Sequence, residues 1–210
     1  MDWAQAQAEI ADVRMVSGRV RDVLTEDATA QGVTLEDGTQ LTGSGVILAN
    51  GAGQGDLLAP FGIDPSLKDA PGMLLRTEPV ERISTAIMAS PEMDFWQDSD
   101  GRVLVATGTH DTMEEDLEGS ARAAVQRLAK LAPATQDVRY QTLMLRNRPI
   151  PGDGLPMVGP VPKVENLWMA LTHSGMTLAP VIANGISDMV LGEFSRANFA
   201  PFLPERMLEE

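Results

Sequence analysis

The sequence predicts a mixed fold, α+β with an α/β portion. Three observations carry that prediction. Leu167-Trp168-Met169-Ala170-Leu171 is a short apolar run of the kind that makes a buried strand. It leads through Thr172-His173-Ser174-Gly175-Met176-Thr177 into a helical pattern from about Leu178 to Leu191. A second apolar run, Gly45-Val46-Ile47-Leu48-Ala49-Asn50, ends in Gly51-Ala52-Gly53-Gln54-Gly55. Between the two, residues 71–145 carry a succession of short strand patterns with one helix, the texture of an antiparallel sheet.

Taken in order, Asp2 to Ile10 is rich in Ala and Gln, lacks Gly and Pro, and reads as the end of a helix. Val13–Val16 and Arg19–Leu24 read as short strands. Gly32 to Gly38 is a strand and then a turn, because Asp37-Gly38 between alternating neighbours is a hairpin signal, and Leu41 pairs back. From Pro71 onward the strand candidates are Leu74–Thr77, Ile83–Met88, Phe95–Gln97 and Val103–Thr107, with Asp98-Ser99-Asp100-Gly101 turning between the last two. Thr112-x-x-Glu115 fits a capping box, and Ala121 to Leu131 carries the apolar face of the helix it opens. Val138–Leu145 is a further strand, and Phe199–Glu210 reads as a short polar tail.

Pro149, Pro151, Gly152, Gly154, Pro156, Gly159, Pro160 and Pro162 crowd the stretch after Arg146. That density excludes both a helix and a regular ladder, so an ordered loop is expected. A buried strand, a glycine turn and a helix N-terminus then present free N–H groups and a positive dipole end, which suits an electron-rich or anionic group. Gly51-Ala52-Gly53-Gln54-Gly55 tempts a dinucleotide-fingerprint reading, which fails on detail. The third glycine would fall at Asp56, where a carboxylate repels a pyrophosphate, and Pro60 and Gly62 cut the following helix short.

Residues Arg148-Pro149, then Asp153-Gly154-Leu155-Pro156-Met157-Val158-Gly159, and later Gly175 with Leu178-Ala179-Pro180, carry a resemblance. The pattern resembles the C-terminal signature of the FAD-dependent amine and amino-acid oxidoreductases, the glycine oxidase, sarcosine oxidase and D-amino-acid oxidase superfamily. The resemblance implies FAD as cofactor, an amine or amino acid as substrate, and hydride transfer from the carbon bearing the nitrogen. It implies a partial, glutathione-reductase-like FAD-binding domain at residues 1–70, an antiparallel-sheet substrate domain at 71–147, and a return to the FAD-binding domain at 148–210. The turn Asn50, Gly51, Ala52, Gly53 and the turn Ser174, Gly175, Met176, Thr177 are then expected to approach FAD. Asn50 and Gly53-Gln54 depart from the commoner Ala and Trp-Ser. Arg148 matches an arginine that grips the substrate carboxylate, a task for which a planar guanidinium is suited. His173 and His110 are the candidates for lining the substrate pocket. Family members begin with a βαβ unit bearing GxGxxG, which nothing before Gly51 supplies. The expectation is therefore either a catalytic C-terminal part, or a non-catalytic fragment or subunit that needs a complementary N-terminal chain to bind FAD.

Ordinary structural roles compete with each assignment. Arg148 or Arg146 can make a salt bridge, a turn histidine such as His173 can bond to backbone, and Thr177 or Ser174 can serve as a plain helix cap. His110-Asp111 with Glu114, Glu115 and Asp116 superficially suggests metal ligands, but acids in a first helical turn complement the helix dipole, so no metal is expected. His173 and Ser174 are sequence neighbours and poorly disposed for a Ser–His–Asp triad. The 12 methionines read as core filling.

The totals narrow the classes further. Zero cysteines exclude disulfides, thiolate metal sites and a cysteine nucleophile. Thirty acidic against 16 basic residues, a net charge of −14, argue against nucleic acid or anionic membranes as partners. No apolar run is long enough to span a bilayer, no secretory signal opens the chain, and the cytoplasm is the default expectation. A homo-oligomer or a complementary chain are the protein partners left open.

Overall fold

A computed structural model of the chain describes residues 3–108, 116–193 and 196–208. The chain divides into two compact units, one formed by Met1–Pro65 with Leu155–Glu210 and the other by Ser66–Gly154.

The first unit opens with helix α1 (Trp3–Ile10), followed by β1 (Val20–Glu26), β2 (Thr29–Leu35), β3 (Gln40–Thr42), β4 (Val46–Leu48) and the short helix α2 (Gln54–Leu58). β1, β2 and β3 form an antiparallel meander with Val23 opposite Val33 and Val33 opposite Leu41. The hairpin signal at Asp37-Gly38 is realised: Gly38 takes φ +88°, and the Asp37 carboxylate accepts the Thr39 N–H at 2.9 Å. Val13–Val16 forms no strand, and Val13, Met15 and Val16 are exposed. Their apolar side chains find no ladder to join, which sequence alternation alone does not reveal.

The second unit contains β5 (Pro71–Pro79), β6 (Met88–Ala89), β7 (Asp94–Gln97), β8 (Arg102–Ala106), helix α3 (Leu117–Leu131) and β9 (Tyr140–Asn147). Its sheet runs β6-β7-β8-β5-β9 with every neighbour antiparallel. One face, Met73, Leu75, Phe95, Val103 and Val105, packs with Ala121, Ala124 and Leu128 of α3 as a closed core. Each fully buried aliphatic there contributes roughly 1.5–3 kcal/mol. The expected strand Ile83–Met88 shrinks to Met88 and Ala89. The buried Gln97 side chain explains the difference: its oxygen accepts the Ile83 N–H at 2.8 Å, and its amide donates to the carbonyls of Val80 and Glu81. Those backbone groups are satisfied by a side chain and need no ladder. α3 is capped by Asp116, whose carboxylate accepts the Gly119 N–H at 2.8 Å. The predicted capping box from Thr112 to Glu115 lies outside the described residues.

The chain then returns to the first unit with β10 (Met157–Pro160), β11 (Leu167–Leu171), α4 (Gly175–Leu191) and α5 (Arg196–Phe199). β10 is antiparallel to β11, and β11 is parallel to β4, giving the order β10-β11-β4. The Pro/Gly-rich stretch is thus not all loop, because Met157–Pro160 forms a ladder. β10 is an edge strand and Pro160 is its last residue, a position where a missing N–H is tolerated. Nor is the C-terminal stretch a polar tail: Leu203 and Pro204 are buried, and Leu203 sits so close over Gly159 that a side chain there would collide with it. α4 begins at Gly175, three residues before the sequence suggested, and ends at Gly192 in the left-handed conformation (φ +75°). Among the described residues no helix is long and apolar enough to cross a membrane.

Candidate functional site

Parallel pairing fixes the geometry of the most structured candidate. Leu167, Trp168 and Met169 lie opposite Val46, Ile47 and Leu48, so both strands run the same way and end at the same sheet edge. The turn after β4, Asn50 to Gly53, and the turn after β11, Thr172 to Ser174, therefore emerge together. In sheets with parallel strands, the crevice outside the carboxyl ends is where ligands bind. Gly51 takes φ +61°, a conformation that glycine adopts without strain and that starts the tight turn into α2.

One residue that the sequence reading passed over ties the two turns. Gln54 is 0% exposed, and its Nε2 donates to the Ala170 carbonyl oxygen at 2.7 Å. The β4–β11 register ends at Leu48 and Met169, so Ala170 is the next position along β11. A side chain thus supplies the donor that β4 no longer provides, and the two strand ends can separate. The other end of the same amide, Oε1, is buried and has no hydrogen-bond partner. A buried polar atom without a partner costs about 1–3 kcal/mol. Only the polarity of a single Gln in a Gly-rich turn hinted at this role.

The N-terminus of α4 faces outward at this edge. Ser174 stands at the N-cap position without a side-chain capping bond, and its N–H meets the Thr172 hydroxyl at 3.4 Å. Gly175, Met176 and Thr177 supply the first helical N–H groups, which a helix leaves without internal partners. Met176 is 92% exposed. Gly175 has no atom within 4 Å of where a Cβ would stand and no left-handed φ, so neither packing nor backbone angle demands a glycine. His173 is exposed, with Nδ1 3.3 Å from the Ser174 hydroxyl.

Beside these turns an apolar groove of about 570 Å³ is lined by Ile47 of β4, by Ala49 just after it and by Ala179, Ile182, Ile186 and Val190 of α4, among others. β4 is the edge of its sheet: among the described residues no strand pairs with its second side, and Ile47 is 50% exposed. A further groove of about 630 Å³ runs along that side, lined in part by Val46, Leu48, Arg19 and Arg21.

Arg148 belongs to the second unit. Its backbone N–H and its Nε both donate to the Ala70 carbonyl, at 3.1 and 3.3 Å. The preceding Asn147 fixes this corner, accepting the Ala70 N–H at 2.7 Å and donating to Asp69 at 3.2 Å. The Arg148 stem lies over Gly72, 3.5–3.6 Å from where a Cβ would stand. Arg146 is exposed and donates to the adjacent Leu145 carbonyl at 2.7 Å. His110, together with Asp111, Glu114 and Glu115 of the suggested metal cluster, lies outside the described residues.

Residues 1–189 match the protein family described as FAD dependent oxidoreductase. Over 198 residues the chain is 28% identical to a glycine oxidase of Pseudomonas putida, a span covering 90% of this chain and 53% of that protein. It is also 28% identical over 206 residues to an uncharacterized oxidoreductase, YurR, of Bacillus subtilis, covering 94% and 55% of the two chains. The fold is similar to that of an iminodiacetate oxidase from Chelativorans sp. BNC1, with a TM-score of 0.76 at 19% identity, covering 94% of this chain and 55% of that one. The chain thus spans about half the length of the relatives it matches.

Proposed function

The chain belongs to the FAD dependent oxidoreductase family, and from that premise we propose that it is the part of an amino-acid or amine oxidoreductase that holds the flavin's ring edge and the substrate. The observation that carries the reading is the shared edge of β4 and β11, where two glycine turns and the N-terminus of a 17-residue helix meet around Gln54. The residues there fit the cofactor's polar ring edge. Gln54 Oε1 is a buried acceptor in need of a donor, and Gly175 leaves open space that neither strain nor packing explains.

FAD, once bound, would supply the hydride acceptor for the carbon bearing the amine. The chain's own residues place and polarise. Arg148 grips the substrate carboxylate and so orients the α-carbon. Gly175, Met176 and Thr177 turn their N–H groups and the positive end of the α4 dipole toward developing negative charge. His173 lines the substrate side of the turn. Asn50 to Gly53 form the opposite wall, and small residues there let the cofactor approach the backbone.

A second reading has its own support. Among the described residues β4 is paired on one side only and is flanked by two grooves, an open edge of the kind that a further strand can join. On this reading the chain needs a complementary N-terminal segment bearing the phosphate loop before FAD binds. A visible absorption titration with FAD tests both readings. Bound flavin near one per chain supports the first. Binding only after addition of the N-terminal half of a relative supports the second, and absence of binding in either case overturns both. In the flavin-loaded enzyme, Arg148→Ala should raise KM for a carboxylate substrate by about 10- to 100-fold, the worth of a charge-assisted pair.

A further inference from the structure

The chain has 12 methionines and no cysteine, so reversible two-electron oxidation of its side chains falls to the thioethers. The fold sorts the described methionines sharply. Met73, Met157 and Met169 are at most 1% exposed, the first in the core of the second unit and the other two in β10 and β11. Met15, Met88 and Met144 are between 43% and 67% exposed, and Met176 is 92% exposed. A side chain that open packs against almost nothing, so core filling does not account for Met176.

Its place on α4 gives the exposure a consequence. Ser174 holds the N-cap position without a capping bond, so Met176 is the second residue of the first turn. The Leu178 N–H is the first to close on the helix, donating to the Ser174 carbonyl at 2.9 Å. The N–H groups of Gly175, Met176 and Thr177 precede it and have no acceptor within the helix. A reduced thioether is only a weak acceptor. A sulfoxide oxygen is a strong one, and it stands as many bonds from Cα as a glutamate carboxylate oxygen. Acceptors of that reach in a first turn bond to the open N–H groups.

We propose that Met176 is a peroxide-sensitive modification site, and that its sulfoxide oxygen caps α4 by accepting from the first-turn N–H groups. In the step, the thioether sulfur gives up two electrons and the O–O bond of hydrogen peroxide breaks. One oxygen joins the sulfur and the other leaves as water. The oxidant is what dioxygen becomes when it takes two electrons and two protons from a reduced flavin. Methionine sulfoxide reductase reverses the change. The consequence for the cofactor rests on the function proposed above. The N–H groups that the sulfoxide occupies are those assigned there to the flavin's ring edge, so the oxidised chain holds flavin more weakly. Peroxide released at the site then slows its own production.

The test treats the whole chain with dilute hydrogen peroxide and follows each methionine by peptide mass spectrometry. Among the described methionines Met176 should convert first, about tenfold or more ahead of Met73, Met157 and Met169. Conversion of Met15, Met88 or Met144 ahead of Met176 overturns the site. Amide exchange with water, read by NMR, tests the cap. Exchange at positions 175–177 should slow about threefold or more on oxidation and recover after reductase treatment. Peroxide-treated Met176→Leu, compared with the same variant before treatment, should show no change. Unaltered exchange in the oxidised parent overturns the cap. An FAD titration of the reduced and oxidised chain then isolates the cofactor consequence, for which about tenfold weaker binding after oxidation is expected. Equal affinity overturns the competition, and no binding by either form overturns the flavin role of the α4 N-terminus while the modification stands on the other two measurements.

Discussion

Replacing Gln54 separates what its amide does for the fold from what it does for a ligand. In Gln54→Leu the bond to the Ala170 carbonyl is lost, a net cost of about 1 kcal/mol, with a further penalty of about 1–3 kcal/mol for the carbonyl left short of a donor. The same change removes Oε1, whose unpartnered burial already carries a penalty of about 1–3 kcal/mol, and a similar volume of apolar side chain takes its place. The opposing contributions nearly cancel, so Gln54→Leu should stay within about 1 kcal/mol of the parent. Gln54→Ala has no such compensation, because it empties a fully buried site, and should cost about 2–4 kcal/mol. Gln54→Glu sets a carboxylate against a carbonyl oxygen. Its folded-state pKa is pushed up, since only the protonated acid can donate to Ala170. Stability in that variant is therefore full at pH below the unfolded value of about 4.3 and is lost as pH rises through the folded value. Urea unfolding read by Trp168 fluorescence in a Trp3→Phe, Trp96→Phe background reports on the first unit, because Trp168 lies two residues before Ala170 in β11. Equal losses in the Leu and Ala variants would refute the reasoning, since they would mean that Oε1 is satisfied. If a cofactor donor completes Oε1, Gln54→Leu should weaken FAD binding about tenfold while leaving the unfolding midpoint nearly unchanged.

Three other outcomes follow from the same structure. Gly175→Ala should stabilise α4 by up to about 1 kcal/mol, because Ala is the better helix former and its methyl meets open space, and should weaken flavin binding; thermal unfolding and absorption titration read the two effects. Leu128→Ala should destabilise the second unit by about 2–5 kcal/mol in urea titrations read by Trp96, since Leu128 is wholly buried between α3 and the sheet. Asp100 is held below the ordinary carboxylate value first by the Arg102 N–H and then by the Arg102 and Arg76 side chains. Its contribution is present above the unfolded value of about 3.9 and lost as pH falls through the folded one, so Asp100→Asn should flatten the acid limb of the stability profile.

Much of the fold was legible because local signals and tertiary need agreed. Asp37-Gly38 makes the hairpin it announces, and Leu167–Leu171 is the central strand of its sheet, with Leu167, Met169 and Leu171 buried. The failures share a cause, which is that partners distant in sequence leave no local mark. Met157–Pro160 becomes a strand because β11 is there to receive it, despite its proline and glycine. Ile83, at the start of the expected strand Ile83–Met88, gives its N–H to the Gln97 side chain and not to a ladder. Leu203 is buried because Gly159 leaves it room. In the candidate site the glycine turns could be read from their sequence, whereas the role of Gln54 could not. A lone amide in a polar turn gives no sign that the carbonyl it will meet is 116 residues away.

The pairing of β4 with β11 also sets an order of events during synthesis. Residues 66–154 form one continuous unit, and all its strands are synthesised before Leu167 is made. β4 therefore waits for its partner strand while the whole inserted unit is synthesised. Joining strands so far apart carries a loop-closure cost that the folded insert reduces by shortening the effective span. A substitution that slows the folding of the inserted unit, Leu128→Ala among them, should therefore also delay the first unit. Delayed burial of Trp168 in refolding kinetics would reveal that dependence.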